Sequence, residues 1–190
     1  LPISGSLTAT PIATLTLTPA ADACSWFGLR VGFPGKPTDP GQSCGGFTMT
    51  SGSDVPAGCR WVDGDVTLTA TTADLQGLEV INGSLVIGSA VKSVVGANLT
   101  HVAEMRAIPL GSALENVTLR KLEVACRVFI GSYRLKALML PALTPAGAMW
   151  ELTTSSSGTS PCDVDLGSVG GGPTEVRLLW LYGSSSQPMT

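Results

Sequence analysis

The chain has 190 residues and a formal net charge of −3, with 13% charged residues, 44% hydrophobic residues and 39 serines and threonines. That length suits one domain with an extension, and the eleven Lys and Arg are scattered rather than gathered into a basic stripe, so nucleic acid is not an expected partner. The longest uncharged stretch, 1–21, carries seven hydroxyl residues and prolines at 2, 11 and 19, which excludes a membrane-spanning helix there.

In chain order, the sequence opens at Leu1 with no basic and apolar leader, so any targeting signal is expected to lie outside these residues. Residues 1–58 lack the periodicity of the chain beyond them. Leu15-Thr16-Leu17-Thr18 alternates like a strand, and a Gly- and Pro-rich loop through Pro34, Pro37 and Pro40 comes next. The uncharged threonine-leucine alternation within 1–20 is suited to pairing with the edge of a neighbouring molecule. Cys24, Cys44 and Cys59 crowd the same region, which suggests one bridge joining Cys24 to Cys44 or to Cys59. Cys126 and Cys162 are available for a second bridge, and the odd cysteine is left free, buried or paired in trans. There is no CxxC and His101 is the only histidine, so no zinc site is expected.

From residue 59 the sequence repeats itself. LQGLEV at 75–80 returns as LRKLEV at 119–124, a shift of 44, and Ile87-Gly88-Ser89 returns as Ile130-Gly131-Ser132 at a shift of 43. VDGDVTL at 62–68 aligns with INGSLVI at 81–87 at a shift of 19, so the larger unit reads as two turns of about 22 residues. Runs rich in Val, Ile, Leu and Thr at 65–70, 84–88, 104–108, 127–131, 149–153 and 176–181 predict strands separated by turn residues. One such turn cannot bury its own apolar side, so successive turns must stack with equivalent strands side by side. The expected fold is mainly β: a parallel β-helix, or solenoid, of about six turns over 59–183. It has a disulfide-stapled N-terminal cap at 1–58 and a linker or frayed tail at 184–190. Alternation points Val66, Leu68, Leu85 and Ile87 inward and leaves Thr67, Val86, Arg106 and Phe129 on an outer sheet face. Ser132 to Leu140, apolar at 135, 138 and 140, has room for one or two helical turns before Pro141 and Pro145.

The chain has three asparagines, and all three open glycosylation sequons: Asn82-Gly83-Ser84, Asn98-Leu99-Thr100 and Asn116-Val117-Thr118. With Ser and Thr placed at random, three of three would qualify about once in a hundred chains, which favours passage through a secretory pathway.

The run CRWVDGDVTL at 59–68, in which a cysteine precedes an aliphatic-x-Gly-x-aliphatic-x-aliphatic pattern, resembles the opening of receptor L domains. The pattern recurs as Ile81-x-Gly83-x-Leu85-x-Ile87, introduced by Leu75 and Leu78 at leucine-rich spacing, and the resemblance extends over roughly 59–155. The resemblance implies a right-handed β-helix related to leucine-rich repeats, as in growth-factor receptor ectodomains and similar modules of fungal cell-surface proteins. The sequence departs from the pattern where Ala125-Cys126 replaces the glycine and where the Gly167–Thr174 segment is rich in glycine.

Residues able to carry chemistry are few. Asp63 and Asp65 flank Gly64, and Asp163 and Asp165 flank Val164, but neither pair brings the further ligands of a calcium loop. Asp63 aligns with Asn82, which suggests a turn-capping role. His101 reads as a surface histidine without a nucleophile motif beside it. Gly170-Gly171-Gly172 lacks the Lys-Ser/Thr ending of a phosphate loop. Trp26, Trp61, Trp150 and Trp180 serve equally as sugar-stacking platforms or packing anchors. The sequence therefore predicts a non-enzymatic, extracellular or cell-surface glycoprotein module without cofactor or metal, acting through protein contacts in adhesion or in assembly of an extracellular structure. Its partners would include other copies of itself. A ligand-binding receptor ectodomain is the alternative, and a polysaccharide-active β-helix enzyme the more distant one.

Overall fold

Each turn of the chain contains one long and one short extended stretch, and each stretch stacks on its counterpart in the next turn. The computed structural model describes residues 33–52, 54–107, 112–132, 134–143, 149–153 and 163–165, with the backbone alone considered at 149–153 and 164. The long strands are β1 (Ser43–Met49), β2 (Trp61–Leu68), β4 (Val80–Ile87), β6 (His101–Ala107), β8 (Val124–Gly131) and β10 (Met149–Thr153), parallel in that order in sheet A. The short strands are β3 (Thr72–Asp74), β5 (Ser93–Val95), β7 (Asn116–Thr118), β9 (Ala137–Met139) and β11 (Asp163–Asp165), which form a second parallel sheet, B. The result is a parallel β-solenoid of about four turns, from β2–β3 through β8–β9, with β1 and β10–β11 extending its sheets.

The core lies between the two sheets. Sheet A contributes stacked inward rows, Val66, Leu85, Met105 and Val128 beside Leu68, Ile87, Ala107 and Ile130, none more than 1% exposed. Sheet B contributes one residue per turn, the middle of each three-residue strand: Ala73, Val94, Val117 and Leu138. The corner leading back to sheet A is closed by Leu75 and Leu78, Leu119 and Leu122, and Leu140 and Leu143, with the second amide of each pair donating to the first carbonyl. Where the intervening turn has Gly96 in place of the first leucine, the side chain of Leu119 leans into the room; an added Cβ would lie 2.8 Å from Leu119 Cδ2. Burying stacked aliphatics in this way is the main stabilising term, since each such side chain removed from water contributes about 1.5–3 kcal/mol.

A bulge explains the change of sequence shift from 44 to 43. Three residues separate the paired positions Val62 and Val66 in β2, and likewise Ile81 and Leu85 in β4, but only two separate Val102 and Met105 in β6, or Ala125 and Val128 in β8. The extra residue is Gly64 in β2 and Gly83 in β4. Gly64 has φ +140°, which a side chain would strain, and a Cβ at Gly83 would overlap the Gly64 carbonyl directly beneath it. The aliphatic-x-Gly-x-aliphatic motif is therefore a bulge placed mid-strand, not a turn. Asp63, expected to cap a turn, accordingly sits within β2.

The expected runs at 65–70, 84–88, 104–108 and 127–131 fall on the second halves of β2, β4, β6 and β8, and 149–153 is β10. All of sheet B and strand β1 are additions to that expectation. The run at 176–181, the strand-like segment within 1–20, Gly170–Gly172 and the tail at 184–190 lie outside the described residues. The helical reading of Ser132–Leu140 is corrected: Ala137–Met139 is strand β9, bonded between β7 and β11. Leu135, Leu138 and Leu140 all enter the solenoid core, which a stacked strand and its flanking turns achieve without leaving neighbouring strand edges unpaired. The sequence suggests bridges from Cys24 to Cys44 or Cys59; instead Cys44 is bonded to Cys59, joining β1 to the loop that enters β2.

Candidate functional site: the strapped outer face of sheet A

The first residues of β2, β4, β6 and β8 point outward, so the register builds a row of Trp61, Val80, His101 and Val124 on the outer surface. Such a row would be wet on an ordinary sheet. Here Trp61 and Val80 are 6% and 4% exposed, and with Phe33 and Cys126 they form a second apolar cluster, separate from the solenoid core. Phe33 belongs to a strap that crosses the strands. From Phe33 the chain passes Lys36, whose ammonium lies 2.8 Å from Asp63 in β2, and then a 3-10 turn at Pro40–Gln42 capped by Asp39, before entering β1. Asp63 sits below the usual carboxylate range because Lys36 donates to and attracts it.

Beneath the strap lies a cleft of about 230 Å³, walled by Pro34, Gly35 and Pro37 above and by Trp61, Val80 and His101 below. Its polar rim is the residue column just before the strands: Arg60, Glu79, Thr100 and Glu123. Arg60 and Glu79 form an ion pair, with Arg60 Nε 3.0 Å from Glu79 Oε1. Thr100 Oγ1 donates to Glu79 O at 2.9 Å and so can only accept from His101 Nδ1, also at 2.9 Å. The neutral His101 ring therefore carries its hydrogen on Nδ1, and Nε2 is the basic nitrogen. Burial pushes the His101 pKa down, and the nearby Glu123 charge opposes that shift. His101 is thus a half-buried member of the cleft rather than a surface residue.

Further along the strands the outer face becomes polar and then mixed. Asp65 Oδ1 accepts from the Ser84 amide, Ser84 Oγ donates to Glu104, and Arg127 pairs with Glu104 at 3.3 Å, a cross-strand ladder of linked charges. Beyond it Thr67, Val86, Arg106 and Phe129 stack in register, the row expected from alternation. All four are half-buried, and Arg106 Nε is covered without a hydrogen-bond partner.

The three sequon asparagines occupy three sides of the coil. Asn82 is on sheet A with Nδ2 3.4 Å from Asp63 Oδ1, Asn98 is in the corner before β6 and accepts from Lys121, and Asn116 opens β7 on sheet B. Asp163 and Asp165 flank Val164 in β11, and Trp61 packs in the outer cluster, while Trp26, Trp180, Cys24 and Cys162 lie outside the described residues. Among the described residues no three of His, Cys, Asp and Glu converge as metal ligands, and no helix is long and apolar enough to cross a membrane. Sequence reading misses the strap because neither Phe33 nor Lys36 belongs to a repeat. The sheet B strands do carry a signal: one apolar residue, Ala73, Val94, Val117 or Leu138, five positions before a buried corner leucine, Leu78, Leu99, Leu122 or Leu143.

No family model, curated protein or solved structure matches this chain.

Proposed function

We propose that this chain is an extracellular, N-glycosylated solenoid module that works by protein contact, in cell-surface adhesion or in assembly of an extracellular structure, and that its partner is a second copy of itself. The observation that carries this reading is the row Thr67, Val86, Arg106 and Phe129: an ordered strip with one charge, in which arginine and an aromatic, the residue types enriched at interface centres, lie side by side. The disulfide between Cys44 and Cys59 is compatible with an oxidising compartment. Asn98 and Asn116 lie off sheet A and Asn82 lies four residues before Val86 in β4, so glycans at the three would keep a poorly charged chain dispersed while those at Asn98 and Asn116 leave this strip open. The glycine-bulge motif also favours kinship with receptor L domains, including the right-handed coil and the count of about six turns.

Analytical ultracentrifugation of the full chain, made in a glycosylating secretory host, tests the contact reading. Self-association that rises with concentration and is lost in Phe129→Asp is expected; a monomer at every concentration overturns it. Intact mass before and after glycosidase tests the sequons separately, with an unchanged mass counting against secretion. The receptor-ectodomain alternative is favoured by one feature, the cleft under the strap, whose apolar floor and Arg60, Glu79 and Glu123 rim suit a small polar ligand or a peptide side chain.

A further inference from the structure

Charge on the outer face of sheet A is ordered across the strands. Beyond the strap, the β2–β4 half carries Asp63, held by Lys36, and Asp65, with which no cation pairs among the described residues. The β6–β8 half carries Glu104, held by Arg127, and Arg106, with which no acid pairs among the described residues. One half is left with a carboxylate in excess and the other with a guanidinium. We infer that a second copy of this chain docks on this face about a twofold axis that runs along the strands between β4 and β6, so that the two coils lie antiparallel. The inference rests on the reading of the Thr67, Val86, Arg106 and Phe129 row as a self-contact and adds its geometry.

Such an axis keeps each residue row at its own height and reverses the order of the strands. Sheet A runs β1-β2-β4-β6-β8-β10, so the axis passes through its middle and all six strands overlap. Asp65 then meets Arg127 of the second copy, with Arg106 of that copy on the adjoining strand, while Ser84 meets Glu104. In the next row Phe129 meets Thr67, and Val86 meets Arg106. Every contact is made twice, as an isologous interface requires. Opposite charges thus face each other without any change in either chain.

The same charges count against the other twofold contact between two such faces. With the axis along the coil, β2 would lie on β2 and β8 on β8, which brings Asp65 towards Asp65 and Arg127 towards Arg127. Like charges set against each other suppress association. Asn82 precedes Ser84 by two residues in β4, about 7 Å along the strand, so a glycan there would border the antiparallel contact on the strap side.

Sedimentation velocity of the full chain, at about 50 mM and about 500 mM salt, tests the arrangement. Asp65→Asn removes the charge and keeps an acceptor for the Ser84 amide. It should raise the dissociation constant about tenfold and reduce its salt dependence. With the axis along the coil the same change relieves a repulsion, so unchanged or tighter association overturns the antiparallel contact. A charge exchange gives a second readout. Asp65→Lys and Arg127→Glu, each shown to be folded by circular dichroism, should be monomeric alone and form a one-to-one dimer when mixed. If the wild type dimerises and the mixture does not, the antiparallel geometry is wrong and the self-contact stands. A wild type that is monomeric at every concentration overturns both.

Discussion

The ring of His101 meets the ring of Phe33 nearly edge-on, with centroids 5.4 Å apart and planes at 65°. One side of the contact comes from a strand start in the third full turn, the other from a strap that precedes the first. The pair therefore joins residues 68 positions apart and makes the strap's seating depend on the charge of an imidazole.

Acidification should loosen that seating. Burial holds the His101 pKa below its ordinary 6.5, so the unfolded chain binds the proton more readily than the folded one. The associated stability is fully present above 6.5 and is lost as pH falls through the lower, folded-state value. His101 is the only histidine, so no other side chain ordinarily titrates there. Thermal unfolding followed by circular dichroism should show the midpoint falling between about pH 7.5 and 5.5, with the slope removed in His101→Gln. A flat wild-type profile would show that the ring is not held neutral.

The glycine bulge predicts a sharp contrast between neighbours. A Cβ at Gly83 would overlap the backbone of Gly64, which cannot rotate away, whereas a Cβ at Gly45 meets nothing within 4 Å. Gly83→Ala should cost about 3 kcal/mol or prevent folding, while Gly45→Ala should stay within about 0.5 kcal/mol of wild type. Denaturant melts of the two variants check this; equal effects would mean that the stacked bulge is not the reason for the motif.

Removing the Cys44–Cys59 bond should be costly because it closes a loop of sequence separation 15 around β1, an end strand of sheet A. For a loop of that length the expected loss in Cys44→Ala/Cys59→Ala is about 3 kcal/mol, or about 6–12 °C in Tm for a chain of this size. A calorimetric scan against wild type gives the number, and a shift under about 2 °C would mean that packing alone holds β1.

Much of the solenoid is legible in the sequence because its physics is local and repeated. A turn of about 22 residues with aliphatics at alternating positions admits few ways to bury them, and stacking is the one that also pairs every strand. That is why Val66, Leu68, Leu85 and Ile87 read as core, and Thr67, Val86, Arg106 and Phe129 as one outward row, from spacing alone. The sheet B strands are harder to see: three residues with one buried side chain give no alternation to detect, and their strand state exists only through neighbours 21 to 26 positions away.

What the sequence alone determined, then, is the repeat, the inward and outward rows and the positions of the three sequons, because these depend on residue spacing within a turn. What only the tertiary structure decided is which residues meet from outside the repeat: Cys44 with Cys59, Lys36 with Asp63, and Phe33 with His101 over a buried outer cluster. Those contacts have no period to announce them. They arise because an apolar row on the outer face of a sheet must be covered, and the segment that covers it is selected by three-dimensional proximity after the coil has formed.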